Sequence, residues 1–250
     1  MAGLDLCLFA MVLPQHRSFI SHLRVAVVWF EKPIGMSHSS RNYSLPPRGE
    51  KGAFLPHGVE VDPPIPESHP TVGAKLNHFM LRIRDPKVSM RFYVELMGMR
   101  TVFTMNVGPF TIYYLGYPQS PDHRADPAAF GIDTTACLAH TLGLLELYHV
   151  HGSELQPEGF YSTGNTPPNL GFGHLGFTVP DVPAFLAYLR AAGVPVVKDL
   201  NVSDRSSIPL SEWEAEKGVG TGEIHGNYKA IFDQIAFVRD PVSKVVLSLD

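Results

Sequence analysis

The chain has 250 residues, of which 44% are apolar and 18% charged, and a formal net charge of −4. That length allows one compact domain or two small fused modules. Without a Lys/Arg-rich run there is no surface to track a phosphate backbone, so nucleic acid is not an expected partner. Two distant cysteines, Cys7 and Cys137, cannot form a disulfide framework and fit a reducing compartment such as the cytoplasm.

Residues 4–13 (LDLCLFAMVL) are apolar, about as long as a signal-peptide core, but no basic residue precedes them and no small-residue cleavage site follows. They are also too short to span a bilayer, so no membrane partner is expected. An extension of little regular structure, with Met36 as an alternative start, is the reading adopted. From Ser37 to about Thr71 the chain is rich in Pro, Gly, Ser and His, as in SLPPR at 44–48 and DPPIP at 62–66. Prolines fix φ and remove donors, which argues against helix or strand. Residues 1–71 are therefore expected to be a largely irregular N-terminal extension, and 72–250 the globular domain.

The first regular element is a strand at 76–84 (LNHFMLRIR), in which alternation puts Leu76, His78, Met80 and Arg82 on one face. Asp85-Pro86 supplies a helix cap and a first-turn proline. Val88, Phe92, Tyr93 and Leu96 then recur at helical spacing, and Gly98 ends the helix. Strands are expected over 100–106, 110–115 and 142–149, with a Pro/Asp-rich loop over 117–128. The order is βαβββ, and it repeats. A strand at 172–179 carries His174, Asp181 caps a helix over 182–192, Gly193 closes it, and strands follow at 194–198, 234–238 and 244–249. Residues 199–233 interrupt this second copy as an elaborated surface loop or lid.

His78 and His174 are 96 positions apart, and so are Asp85 and Asp181. The expected fold is thus α+β, with paired βαβββ modules at 75–150 and 171–249. Set side by side, their sheets are expected to curl into a half-open barrel in which His78 and His174 converge. A lone strand histidine is ordinarily a hydrogen-bonded core or edge residue. Two at equivalent repeat positions, with Glu146 isolated in the apolar stretch TLGLLELY (141–148), point instead to a divalent-metal site of mixed nitrogen and oxygen donors. Phe110, Tyr113 and Tyr114 are candidates for the wall of an apolar pocket, with core packing as the alternative.

Three longer stretches, LNHFMLRIRDPKVSMRFYVELMGM (76–99), LLELYHVHG (144–152) and NLGFGHLGFTVPD (169–181), make the chain from about 75 to 249 resemble glyoxalase I (lactoylglutathione lyase) of the vicinal oxygen chelate superfamily. The resemblance implies the glyoxalase/bleomycin-resistance/dioxygenase-like fold and, in many members, a homodimer whose sites combine modules of two chains. It implies one divalent ion, zinc or nickel foremost, held by His78, Glu146 and His174; the family's catalytic base is a further glutamate that falls on Leu247 here, so Glu146 would have to be both ligand and base. The implied reaction converts the hemithioacetal of glutathione and methylglyoxal into S-lactoylglutathione. Arg82 and Lys198 fall on positions that hold the carboxylates of glutathione in the family.

The chain departs from the family pattern at three places. Counted from Asp240-Pro241, the fourth metal-binding glutamate falls on Leu247; an asparagine and an arginine that anchor glutathione fall on Val150 and Leu170. These losses leave open a diverged isomerase, cyclase or lyase on the same scaffold, and a binding protein that has lost catalysis.

Overall fold

The computed structural model describes residues 49–250 except 59–60, 208–209, 243 and 245. The apolar run at 4–13 and the beginning of the Pro-rich stretch lie outside the described residues. From Gly49 to Asn77 the described backbone forms turns and no helix or strand, and the Asn227 amide donates to the Gly52 carbonyl at 2.8 Å.

The first module opens with β1 (His78–Ile83), in which Leu81 and Ile83 are buried while Met80 and Arg82 face outward. Asp85 caps α1 (Pro86–Met90), its Oδ1 accepting from the Lys87 and Val88 amides at 2.9 and 3.3 Å. The helix widens over Arg91–Leu96 and ends where Gly98 takes a φ of +79°, a conformation that costs glycine little. The Arg100 guanidinium donates to the carbonyls of Val94, Gly98 and Met99, placing a cation where the helix dipole is negative. Strands β2 (Arg100–Asn106) and β3 (Phe110–Gly116) follow.

The expected loop at 117–128 is instead the start of two helices, α2 (Pro121–Ala125) and α3 (Pro127–Ala136). Their prolines begin helices rather than break them, because Ser120 and Asp126 stand just before as caps. Strand β4 (Leu144–Val150) then inserts between β1 and β3, giving the sheet order β1-β4-β3-β2.

A short hairpin, β5 (Asn165–Thr166) and β6 (Asn169–Leu170), leads to the second module. This module comprises β7 (His174–Phe177), α4 (Val182–Ala191) capped by Asp181, β8 (Val196–Lys198), β9 (Ala236–Arg239) and β10 (Val246–Leu249). The insertion between β8 and β9 holds α5 (Glu212–Glu216) and α6 (Gly226–Phe232). The sheet order, β7-β10-β9-β8, reproduces that of the first module.

The half-open barrel does not form. The structure has two separate four-stranded sheets, and their leucine faces pack into one core. Leu81, Ile83, Leu145 and Leu147 of the first meet Leu175, Val238, Leu247 and Leu249 of the second, with Phe92, Tyr93, Leu186 and Leu189 from the helices. Each fully buried side chain of this size contributes about 1.5–3 kcal/mol of hydrophobic free energy. Because alternate residues point to opposite faces, this packing turns the histidine-bearing face of each sheet away from the shared core. Each turned-out face is partly covered by its own insertion. Phe130 and Leu138 lie on Val102, Tyr114 and Leu144 in the first module; Phe232, Leu210 and Ile224 lie on Phe237 and Val246 in the second.

Candidate metal half-site and adjoining clefts

His78 and Glu146 sit on neighbouring parallel strands, β1 and β4, on the same face of the first sheet. His78 Nε2 is 3.5 Å from Glu146 Oε2, with both side chains largely sheltered. Two ligand atoms each about 2.1 Å from a tetrahedral ion would stand roughly 3.4 Å apart, so the spacing suits a shared cation.

The surrounding groups prepare both donors. Asn77 Nδ2 donates to the carbonyls of Leu138 and Thr141, which orients its carboxamide so that Oδ1 faces His78 Nδ1 at 2.9 Å. An amide oxygen only accepts, so Nδ1 carries the proton, and in the neutral ring the Nε2 lone pair is then on the side of Glu146. Tyr114 donates its hydroxyl to Glu146 Oε2 at 2.9 Å. Burial and the adjacent carboxylate raise the Tyr114 hydroxyl far above its ordinary pKa, which keeps it a donor. Its ring stacks on Phe103 at 4.5 Å and lies 5.3 Å from the His78 ring. Sequence reading places Tyr114 only as a pocket wall. Phe110 shares that outer face, stacked on Tyr148 at 4.3 Å, whereas Tyr113 points the other way into the core.

His174 stands apart. It lies on β7 of the second sheet, its ring 5.4 Å from Phe237, and among the described residues no group of three His, Cys, Asp or Glu is gathered to hold a metal. The chain brings His78 and Glu146 together and leaves His174 elsewhere, a consequence of the common core. His174 opens instead into a cavity of about 410 Å³ walled partly by the insertion, through Ser206, Ser211 and Glu214. Leu170 borders this cavity, and the cation there is Arg239.

Strand pairing and the count from Asp240-Pro241 point to different residues of the last strand. In the first sheet His78 pairs with Leu144 and Met80 with Glu146. In the second, His174 pairs with Val246 and Gly176 with Ser248. The register equivalent of Glu146 is therefore Ser248. Leu247 faces the core and is fully buried.

Arg82 lies over the Tyr148 ring, 5.0 Å from its centre, and borders a second cleft. Lys198 does not. It is 2% exposed, and its ammonium donates to the carbonyls of Asp199, Phe232 and Ile235. Burial lowers its pKa, opposed by Asp233 and Asp199. All three donors are engaged inside the fold, so Lys198 ties the insertion to β8 and offers nothing to a substrate carboxylate. Its strand position is legible in the sequence, but the face it uses is not.

A family model described as the Glyoxalase/Bleomycin resistance protein/Dioxygenase superfamily matches residues 75–205. The chain belongs to that superfamily. Among curated relatives, the lactoylglutathione lyase of Schizosaccharomyces pombe is 33% identical over 131 residues, 51% of this chain and 40% of that protein. The glyoxalase I of Saccharomyces cerevisiae is 32% identical over 141 residues, 54% of this chain and 40% of that one. The lactoylglutathione lyase of Pseudomonas putida is 35% identical over 130 residues, 50% of this chain and 70% of that enzyme. The match to the two fungal relatives thus spans well under half of their length. Among solved structures, glyoxalase I from Zea mays matches 70% of this chain and 43% of its own at 17% identity, with a TM-score of 0.41. That likeness is too distant to add to the family assignment.

Proposed function

We propose that the chain is a metal-dependent isomerase of the glyoxalase I type, acting on the hemithioacetal of glutathione and methylglyoxal or a related 2-oxoaldehyde adduct. The observation that carries this reading is the His78–Glu146 pair with both donors already oriented, by Asn77 and by Tyr114. The donor set of one imidazole nitrogen and one carboxylate oxygen suits zinc or nickel. Such an ion supplies Lewis-acid stabilisation of negative charge beside the reacting carbon. His174, turned away within its own chain, is the third ligand if a second copy presents it, which makes the active species a homodimer. Glu146 then has two tasks. Its Oε2 takes the hydrogen bond from Tyr114, which leaves Oε1 to move a proton between adjacent carbons.

The names of the fungal and bacterial relatives support this reading. The exposed free thiol of Cys137 fits a reducing setting such as the cytoplasm. Among the described residues no helix is long and apolar enough to cross a membrane. A second reading, a diverged isomerase or lyase on another substrate, is favoured by one specific pair of observations: Ser248 stands in the second module where Glu146 stands in the first, and Lys198 is inaccessible.

The deciding experiment combines metal titration with thioester absorbance after mixing methylglyoxal and glutathione. Thioester is expected with zinc or nickel, and His78→Ala or Glu146→Gln should weaken metal binding by about a hundredfold or more. Metal binding without thioester on any metal would leave the diverged enzyme. Metal held tightly by a monomer, or unaffected by His174→Ala, would sink the shared site.

A further inference from the structure

The N-terminal extension is fastened to the body of the fold at one place. Among the described residues from 49 to 76 every residue is exposed except Gly52, which is partly covered. Even the large apolar residues of this stretch, Phe54 and Val61 among them, are exposed, so burial of apolar surface does not hold it. At Gly52 the contact is close. The Asn227 side-chain amide donates to the Gly52 carbonyl at 2.8 Å, and a Cβ added at Gly52 would run into the His225 ring. Gly52 also takes a φ of +84°, so a larger residue would be strained there as well as crowded.

What the extension grips is the insertion between β8 and β9. His225 caps α6 and Asn227 lies in its first turn. Ile224, just before them, belongs to the apolar cluster that seats the insertion on Phe237. Two residues earlier the carbonyls of Gly222 and Gly220 accept from the Arg205 guanidinium, which ties the two limbs of the insertion together. Ser206 and Ser207 follow Arg205 directly and wall the cavity beside His174, with Leu210, Ser211 and Glu214. A contiguous run of hydrogen bonds and chain neighbours thus leads from Gly52 to that wall. Along it, positive φ at Gly218, Gly220 and Gly222 marks a limb with few side chains to pack, so its fastenings decide how firmly it stays in place.

We propose that the extension is a detachable strap, fastened at Gly52 to Asn227, that holds the insertion against the second sheet and so sets how far the cavity beside His174 stands open. One hydrogen bond between uncharged groups biases the closed form over an open one by only roughly three- to tenfold, so the fastening is weak enough to be released and remade in the native protein. Whatever draws residues 49–58 away then opens the cavity without touching His174.

The test is hydrogen exchange, read segment by segment by mass spectrometry on the full chain in a chelator-containing buffer. Asn227→Ala removes the donor, and Gly52→Ala drives a methyl group against the His225 ring. Gly73→Ala is the control: Gly73 has nearly the same φ, +85°, on the same extension, with no atom of the described residues within 4 Å of an added Cβ. Asn227→Ala and Gly52→Ala should each speed exchange over 205–216 roughly three- to tenfold, with β9 and β10 unchanged. The rate at which diethyl pyrocarbonate acylates His174 should rise by a similar factor, and Gly73→Ala should change neither. Faster exchange at 49–56 with none over 205–216 overturns the strap, because the extension would have let go without consequence. The same rise in Gly73→Ala, faster exchange without faster acylation, or no change in any segment overturns it too. Should Asn227→Ala disturb β9 and β10, the Gly52→Ala result decides. No metal or substrate enters these measurements, so their outcome is independent of the isomerase reading, which thioester formation tests separately.

Discussion

The two modules share a topology and differ in what they do with it. In the first, the histidine has a carboxylate within reach, an asparagine fixes its proton and a tyrosine fixes the carboxylate. In the second, the equivalent histidine faces a cavity, and the register that supplies Glu146 in one copy supplies Ser248 in the other. Duplication has therefore preserved the frame while the chemistry has become lopsided. One half brings an imidazole and a carboxylate together, and the other contributes a single imidazole beneath an insertion.

The sharpest way to break this comparison is to place a carboxylate at each of the two competing positions. Leu247→Glu should cost about 4 kcal/mol or more, because a charge would enter the core common to both sheets, and the melting temperature should drop by roughly ten degrees or more. Ser248 is buried too, at 4% exposure, but on the outer face and away from the common core, so Ser248→Glu should cost less than Leu247→Glu and add a ligand on the face of His174, visible as tighter zinc binding. A stable Leu247→Glu protein with improved metal affinity would show that the register is wrong.

Next in size is Tyr114→Phe, which keeps the ring stacked on Phe103 but removes the donor to Glu146. A neighbour that orients a metal ligand typically accounts for about ten- to hundredfold in affinity. Zinc titration should show a loss in that range with little change in melting temperature. Unchanged affinity would mean that Glu146 orients itself.

The smallest effect concerns pH and the first module alone. Tyr117 donates to the Met97 carbonyl at 2.7 Å, and burial pushes its hydroxyl up from 10.0 to about 12. Its stabilising effect is complete below pH 10. Above that, the unfolded chain loses the proton first, so stability falls until the folded-state value near 12 is passed. Tyr114 adds to the same alkaline limb. In Tyr117→Phe the denaturation midpoint should decline less between pH 10 and 12 than in the parent, and an identical decline would remove Tyr117 from the account.

Much of this is legible in the sequence because alternation and caps are local. The strand at 100–106 coincides with β2, and Asp85 and Asp181 both cap as the pattern predicts. Local patterns say which face is buried but not what buries it, so they suggest a barrel where the leucine faces of two sheets meet instead. The same limit hides the inward course of Lys198, a long side chain whose stem can pass through apolar surroundings to reach carbonyls. Counting from Asp240-Pro241 assumes a turn of fixed length, whereas only strand pairing defines which residues lie opposite each other. Helices α2 and α3 escape any reading in which Pro121 and Pro127 act as breakers, although Ser120 and Asp126 before them signal starts.

The carboxamide of Asn77 has a consequence for the excursion between β3 and β4. Its nitrogen is clamped by carbonyls at Leu138 and Thr141, 61 and 64 positions along the chain. Cutting that excursion short would free the side chain to swivel by half a turn and offer nitrogen, rather than oxygen, to the imidazole. The ring would then keep its hydrogen on the opposite side and lose the bare nitrogen a cation requires. A stretch of backbone that touches no reactant would in this way decide whether His78 can act as a ligand at all.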